Sequence, residues 1–280
     1  MLPQSVIRAA YELACRREIE ALKPGNVHLF ADGHRMSADQ FLTSASVSSG
    51  PLTDPSLSVG TRIREAVRAT QDAVATNTNL GIILLCAPLA RAAEMPGKDL
   101  RASLQTVLDA MDLDDTAAVF EAIVLASPGG LGSASKHEVR EKPKVHLLDA
   151  MGEARDRDMI ARQYVTGFAD IFEVGLPALD AALSRGETGM WPTIRAYLSF
   201  LTTLPDSHVL RKHGAVIAGE LCEEAIAVQA LLDEAGDETE RIAILKAFDE
   251  KLKVRGVNPG TSADLTVACL LVHSLSGHLA

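Results

Sequence analysis

The sequence predicts an all-α protein, folded as one globular domain of roughly ten helices without a sheet. Aromatic residues make up only 4% of the chain, and no segment keeps the period-two alternation of a half-buried strand. Many segments instead repeat apolar residues at the spacing of a helix with one buried face. With 280 residues and 47% hydrophobic content, the chain is long enough to bury one core over residues 1–280.

The stretch Asn77-Thr78-Asn79-Leu80-Gly81 separates two helical patterns of different character. Residues 62–74 before it are amphipathic, whereas residues 82–89 after it are almost wholly apolar and predict a core helix. Asn77, Thr78 and Asn79 are good N-cap residues, so one interpretation is a capped joint between two helices. The other is that their side chains, beside the positive end of the next helix, face a polyanionic ligand.

The other helices follow from local signals along the chain. The first covers residues 5–22 and stops at Pro24-Gly25. Ser37 and Gln40 form a capping box that opens a short second helix. Further helical patterns cover residues 98–111, 114–127, 155–174, 188–204, 206–235, 240–254 and 265–275.

Two regions break this regularity. The long pattern over residues 206–235 contains Gly214 and Gly219, and either glycine is expected to bend or interrupt it. Residues 127–150 form a Gly-rich loop that ends in a basic stretch. Such a loop is either a lid over a site or a plain connection.

Composition excludes several classes of protein. The net charge is 27 − 37 = −10 and no long basic block occurs, so a nucleic-acid surface is not expected. No apolar run reaches the ~20 residues of a membrane span, and the start does not resemble a signal peptide. The four cysteines are isolated and predict free buried thiols, which fits the cytoplasm. Without a long heptad seam, a monomer or a homodimer is expected.

Two Pro-Gly turns carry the clearest binding signal, Lys23-Pro24-Gly25-Asn26 and Asn258-Pro259-Gly260-Thr261. Each places a glycine where a type II turn needs positive φ. The second turn runs into a helix, so N–H groups and the Thr261 and Ser262 hydroxyls converge at a positive dipole end, which suits phosphate. The alternative is an ordinary capped helix in which Asp264 serves the capping box.

Asp206, His208 and Arg211 share little more than two turns of a predicted helix. Arg211 can reach a phosphate from there, with Asp206 and His208 a turn away. Equally, Asp206 is an N-cap and the basic residues form a solvated face. Glu18 precedes the first Pro-Gly turn as a candidate metal ligand or general base, or as a surface residue. Common nucleotide, hydrolase and zinc-protease motifs are missing from the sequence.

Taken in order, these motifs resemble the triphosphoribosyl-dephospho-CoA synthase family, all-helical enzymes that make the prosthetic-group precursor of citrate and malonate decarboxylases. The resemblance covers most of the chain, and its last motif is the most specific. The segments that carry it are Glu18-Ile19, Lys23-Pro24-Gly25-Asn26-Val27-His28, His34-Arg35-Met36, Arg62-Ile63-Arg64, Asn77-Thr78-Asn79-Leu80-Gly81, Gly167-Phe168, Leu176-Pro177, Asp206-Ser207-His208 with Arg211 and Gly214, and Asn258-Pro259-Gly260-Thr261-Ser262-Ala263-Asp264-Leu265.

The resemblance implies a transferase that joins ATP to dephospho-CoA through the ribose and expels adenine, acting on small phosphorylated substrates. In this interpretation Lys23, Arg62, Arg211 and residues 258–262 contact the triphosphate. Mg²⁺ bridges the triphosphate to the protein, held by Glu18 or Asp264. Asp206 or His34 supplies the base. The two Pro-Gly turns, the joint at Asn77 and the start of the Asp206 helix are expected to meet in one cleft.

The chain departs from the family pattern at four positions in three motifs. Asn79-Leu80 stands where the family has His-Lys, His28 where it has Asp, and Thr261 where it has a second Gly. These changes leave two alternatives open. One is a branch linked to tetrahydromethanopterin biosynthesis, which transfers phosphoribose from phosphoribosyl diphosphate to a pterin-precursor alcohol. The other is a nucleotide-binding protein without catalytic activity.

Overall fold

A computed structural model describes residues 1–30, 37–126 and 143–279. This part of the chain is built from fourteen α-helices and one π-helical segment and contains no β-strand, which confirms the all-α prediction. The helices are α1 Gln4–Glu20, α2 Ala38–Leu52, α3 Val59–Val74, α4 Leu80–Ala93, α5 Leu100–Asp109, α6 Leu113–Ala126, α7 Leu147–Gly152, α8 Met159–Thr166, α9 Leu176–Ser184, α10 Trp191–Thr203, α11 Ser207–His213, α12 Ala215–Glu234, α13 Glu238–Val254 and α14 Gly260–Leu279, with the π segment Ile171–Gly175 before α9.

Helices α4 and α14 form the centre of the larger hydrophobic core. Both are apolar on nearly every face, which is typical of a helix enclosed by others. They pack against each other, and α14 also packs against α1 and α10. A second core joins α10 to the later helices α12 and α13. The start of α14 therefore lies where the two halves of the chain meet.

The local signals that the sequence offered are mostly confirmed. Ser37 and Gln40 form the predicted capping box of α2. Gly214, with φ of 87°, separates α11 from α12. All four cysteines are free, and three of them are buried. No described helix is long and apolar enough to cross a membrane.

The predicted helix over residues 155–174 is wrong. Asp158 caps α8 by accepting the N–H groups of Ile160 and Ala161, so the helix begins later. Gly167, with φ of 61°, then ends it after only eight residues. The apolar spacing continues past this glycine because the π segment and α9 use it, so periodicity could not reveal the break. Of the predicted loop at residues 127–150, residues 127–142 lie outside the described residues, and its end belongs to α7.

Candidate functional site

The two Pro-Gly turns lie against each other, although 232 positions separate the asparagines that join them. Asn26 Nδ2 donates to Asn258 Oδ1 at 2.8 Å. Gly25 has φ of 81°, and a Cβ there would lie 2.9 Å from Pro259 Cδ. Only glycine fits both the positive φ and this close approach. The first turn is thereby packed against the start of α14.

Asp206 connects α11 to α14 through four hydrogen bonds. Its Oδ1 accepts the N–H groups of His208 at 2.9 Å and Val209 at 3.1 Å. Its Oδ2 accepts the N–H of Ser262 at 2.7 Å and the Ser262 hydroxyl at 2.8 Å. Burial raises the pKa of this carboxyl, and the four donors oppose the rise. Because both oxygens are occupied, the contacts favour the N-cap interpretation of Asp206 over the general base.

The same contacts argue against a phosphate site at the N-terminus of α14, because donors there are already engaged. The N–H of Ser262 already serves the Asp206 carboxylate, and the N–H of Gly260 donates to Asn258 O at 2.8 Å. Thr261 Oγ1 accepts the Ser207 hydroxyl at 3.0 Å. An internal carboxylate therefore takes the place that the sequence suggested for a phosphate, and the capped-helix alternative is favoured.

Asp264 stands out because its carboxylate makes no hydrogen bond or ion pair with any residue in the described part of the chain. It is half-buried in the first turn of α14 and faces the start of α4. A Cβ added to Gly81 would clash with Asp264 Oδ2, so the glycine makes room for this carboxylate. Burial, followed by the negative charges of Glu18 and Asp206, raises the pKa of Asp264 well above its ordinary value. A buried carboxyl group that has two other carboxyl groups nearby and no partner among the described residues is a candidate for binding.

Glu18 and Lys23 form an ion pair enclosed by protein. Lys23 Nζ lies 3.1 Å from Glu18 Oε1, and both side chains are almost fully buried. The ammonium also donates to Glu18 O at 2.7 Å and Val27 O at 2.9 Å. Burial raises the pKa of Glu18 and lowers that of Lys23, and their mutual attraction opposes both shifts. Lys23 is thus committed to internal acceptors and is not exposed to a phosphate.

The joint between α3 and α4 is capped and also lines a small cavity. Asn77 Oδ1 accepts the N–H of Leu80 at 3.1 Å, which is the predicted capping role. Thr78 Oγ1 lies 2.6 Å from the hydroxyl of Ser44. Asn79 contributes to a cavity whose lining residues are Cys15, Glu18, Phe41, Ala45, Asn79 and Ile82. Both interpretations of this joint therefore retain support.

His28 belongs to a cluster that sequence reasoning missed. Its Nε2 lies 3.3 Å from Asp249 Oδ2, and Lys253 Nζ lies 3.0 Å from the same oxygen. Asp249 Oδ1 also accepts the N–H of Gly25 at 2.9 Å, so α13 anchors the first Pro-Gly turn. Burial lowers the pKa of His28. Asp249 gave no sequence signal beyond an ordinary i, i+4 pair with Lys253 on an amphipathic helix.

Of the remaining candidates, Arg211 lies near Asp264 and Arg62 lies far from it. Arg211 is half-buried, pairs with Asp158 at 3.4 Å and lies close enough to Asp264 to lower the pKa of that carboxyl. Arg62 lies elsewhere: its guanidinium donates to both oxygens of Glu94 at 2.8 Å, just past the C-terminal end of α4. Because α4 has 14 residues, Arg62 is about 20 Å from the joint at Asn79. His34 lies outside the described residues.

The described residues contain no group of three or more side chains suited to hold a metal ion. Mg²⁺ nevertheless binds through one or two carboxylates together with substrate phosphates and water. The unpaired carboxylate of Asp264 meets that requirement, whereas Glu18 is engaged with Lys23. Asp264 is therefore the side chain in this region that fits Mg²⁺ best.

Comparison with known proteins agrees with the motifs. The sequence profile of the CitG family, described as ATP:dephospho-CoA triphosphoribosyl transferase, matches residues 4–280. The chain is also similar to the crystal structure of a proposed triphosphoribosyl-dephospho-CoA synthase from Archaeoglobus fulgidus, with a TM-score of 0.65 and 28% sequence identity, covering 84% of this chain and 99% of that one. No curated protein matches the chain. Neither match supports the tetrahydromethanopterin-linked alternative.

Proposed function

Because the chain belongs to the CitG family of ATP:dephospho-CoA triphosphoribosyl transferases, we propose that it joins ATP to dephospho-CoA and releases adenine. A ribose hydroxyl of dephospho-CoA attacks C1 of the ATP ribose, and the bond from C1 to the adenine nitrogen breaks. Adenine leaves with the electron pair of that bond and takes up a proton, while the attacking hydroxyl loses one. The triphosphate stays on the transferred ribose.

The observation that carries this proposal is the unpaired carboxylate of Asp264 beside the joint between α3 and α4. Positive charge develops at C1 as the adenine leaves, and the donor carries a triphosphate that needs cations. Asp264 is the residue that would hold Mg²⁺ here, and the ion would neutralise charge on the triphosphate. Arg211, whose charge acts on Asp264, would contact a phosphate directly.

Other residues hold the elements around Asp264 in position. Asp206 fixes the start of α14, and therefore the direction of Asp264, through its bonds to Ser262. Asn26 and Asn258 hold the two turns together. These contacts lock the elements around Asp264 in place before any ligand binds, which is what a preorganised site requires.

Adenine release tests the proposal. The protein is incubated with ATP, dephospho-CoA and Mg²⁺, and adenine and the coupled product are quantified by chromatography. We expect adenine and product in equal amounts, and no adenine when dephospho-CoA is left out. A folded protein that binds neither substrate and releases no adenine would overturn the proposal. A monomer or a homodimer remains our prediction for the assembly, and light scattering tests it.

A further inference from the structure

Tyr197 is a fully buried residue of α10 whose hydroxyl reaches the first Pro-Gly turn. The hydroxyl donates to Pro24 O at 2.8 Å, across 173 positions of the chain. Burial, followed by the negative charge of Asp206, raises the pKa of Tyr197 well above its ordinary value, so the hydroxyl keeps its proton. The contact is therefore a neutral hydrogen bond between α10 and the turn.

The first turn is held from three sides, one residue at a time. Each of three consecutive turn residues has a partner on a different element, which is Tyr197 of α10 for Pro24, Asp249 of α13 for Gly25, and Asn258 of the second Pro-Gly turn for Asn26. Proline has no N–H group, so its carbonyl is the one backbone group through which Pro24 can form a hydrogen bond. Within the described residues, the hydroxyl of Tyr197 is the donor that this carbonyl has.

The turn also lies against the segment that leads into α14. A Cβ on Gly25 would lie 2.9 Å from Pro259 Cδ, so the two backbones are in close contact there. Asp264 follows in the first turn of α14. Because protein interiors are close-packed, a shift of Pro24 would pass to these neighbours. The hydroxyl on α10 therefore helps to fix the place of the Asp264 carboxylate.

The turn also influences the charge around Asp264. Lys23, bonded directly to Pro24, places its ammonium 3.1 Å from Glu18 Oε1. The negative charge of Glu18 acts on Asp264. If the turn moved, Lys23 would draw away from Glu18 and leave more uncompensated negative charge at a site that must take up a triphosphate.

We propose that Tyr197 is a positioning residue for ATP binding, whose hydroxyl holds the first Pro-Gly turn where Lys23 neutralises Glu18 and where the start of α14 is fixed. Tyr197 acts through the turn and does not itself touch the substrate. The inference rests on the proposed function, since it concerns the site of the same donor substrate.

The test compares Tyr197→Phe with Tyr164→Phe, a matched control. Each substitution removes one fully buried hydroxyl that donates to a backbone carbonyl, that of Pro24 at 2.8 Å or that of Leu84 at 2.6 Å. Both should lower the midpoint of urea denaturation by similar amounts. Only Tyr197→Phe should weaken ATP binding, by about 3–10-fold, because a loosened turn costs the site at most the one neutral hydrogen bond that was lost. Calorimetry with Mg²⁺ present measures the affinity of the folded protein, which a purely structural role would leave unchanged.

Hydrogen exchange at the amide of Gly25 follows the turn itself. This N–H donates to Asp249 Oδ1 at 2.9 Å, so it should exchange faster in Tyr197→Phe than in wild-type protein. Tyr164→Phe should leave the rate closer to that of wild type. Because both variants lose one buried hydrogen bond, a difference between them reports local loosening of the turn. An equal exchange rate in the two variants would overturn the inference.

The affinities separate the inference from the proposed function. If wild-type protein binds ATP and releases adenine but Tyr197→Phe binds ATP as tightly as wild type does, the inference is wrong and the function stands. An equal loss of affinity in both variants would show a general packing effect and also overturn the inference. If only Tyr197→Phe binds ATP more weakly and wild-type protein never releases adenine, the inference stands and the function is wrong. Wild-type protein that does not bind ATP overturns both.

Discussion

The two ends of α4 both gather charged side chains, but they balance these charges differently. At the C-terminal end, Glu94 accepts from Arg62 at two oxygens and also pairs with Arg91 at 2.9 Å. One carboxylate thus has two cations, and both arginines have a partner. Such a cluster is self-contained and has nothing left to offer a ligand.

At the N-terminal end the carboxylates are in excess. Glu18 has one cation, Lys23, and that cation is fully enclosed. The negative charge of Glu18 raises the pKa of Asp264. Asp264 has no ion-pair partner within the part of the chain that the structure describes. Functional sites commonly keep unfavourable arrangements that the rest of the fold must stabilise. We therefore expect the charges at the C-terminal end of α4 to serve stability and the carboxyl group of Asp264 to serve substrate binding.

The largest effect is expected when the enclosed pair is broken. Lys23→Met leaves Glu18 buried without its cation, which should lower the free energy of unfolding by about 3–5 kcal/mol. Urea denaturation measures this loss. The double variant Lys23→Met with Glu18→Met should recover most of it, because the uncompensated charge is gone. No recovery in the double variant would mean that the contacts of Lys23 with the backbone carbonyls dominate.

Removing the unpaired carboxylate should lower activity and not stability, the reverse of the effect expected for Lys23→Met. Asp264→Asn is expected to lower the rate of adenine release at least about 100-fold, equal to about 2.7 kcal/mol. It should not lower stability. The raised pKa of Asp264 means that the folded state disfavours the charged form, so stability is lost as the pH rises through that pKa, and the amide removes this loss. Glu94→Gln, at the other end of α4, is the control and should keep the activity per folded molecule.

The two arginines predicted to bind phosphate allow a direct comparison. Arg211→Ala should weaken binding of ATP by about 1.5–3 kcal/mol, the range for a charged hydrogen bond. Its thermal stability should stay nearly unchanged, because its pair with Asp158 is half-exposed. Calorimetry with ATP measures the binding. Unaltered affinity would place the triphosphate away from α11.

Arg62→Met should show the reverse, a loss of stability of about 2 kcal/mol with normal binding of ATP. The loss is smaller than for Lys23→Met because Glu94 keeps Arg91 as a partner. Thermal denaturation and calorimetry on the same sample separate the two effects. Weakened ATP binding in a folded Arg62→Met protein would contradict the placement of Arg62 outside the site.

Much of the fold could be predicted from the sequence, because its signals are local. The capping box at Ser37, the break at Gly214 and the apolar character of α4 each depend on residues within a few positions. The helix end at Gly167 was not predicted, because the apolar spacing continues through the π segment that follows it. Periodicity reports which residues are buried and not where the backbone changes direction.

The site was less predictable, because residues far along the chain determine which of its side chains are already engaged in hydrogen bonds or ion pairs. Motifs correctly suggested that the two Pro-Gly turns approach each other, as Asn26 and Asn258 do. They could not show that Asp206 is saturated by donors or that Asp249, 224 positions from Gly25, anchors the first turn. Arg62 carries the same charge as Arg211, and local sequence could not show that Arg62 pairs with Glu94, 32 positions away.

The smallest predicted effect concerns Asp249, which contrasts with Asp264 because it is fully partnered by His28, Lys253 and the N–H of Gly25. Burial first, opposed by the hydrogen bond to Asp249, lowers the pKa of His28 below its ordinary value. Below about pH 6.5 the unfolded chain takes up a proton on this histidine. The folded protein resists that uptake until its own, lower pKa, so stability falls as the pH drops through this window.

Thermal denaturation between pH 5 and pH 8 tests this prediction. His28→Gln keeps a nitrogen donor toward Asp249 but does not titrate, so it should flatten the part of the slope below about pH 6.5. His278→Gln, at an exposed position near the end of α14, is the control and should reproduce the wild-type profile. An unchanged slope in His28→Gln would show that the imidazole is protonated as readily in the folded protein as in the unfolded chain. Its link between α13 and the first turn would then contribute nothing to the pH dependence of stability.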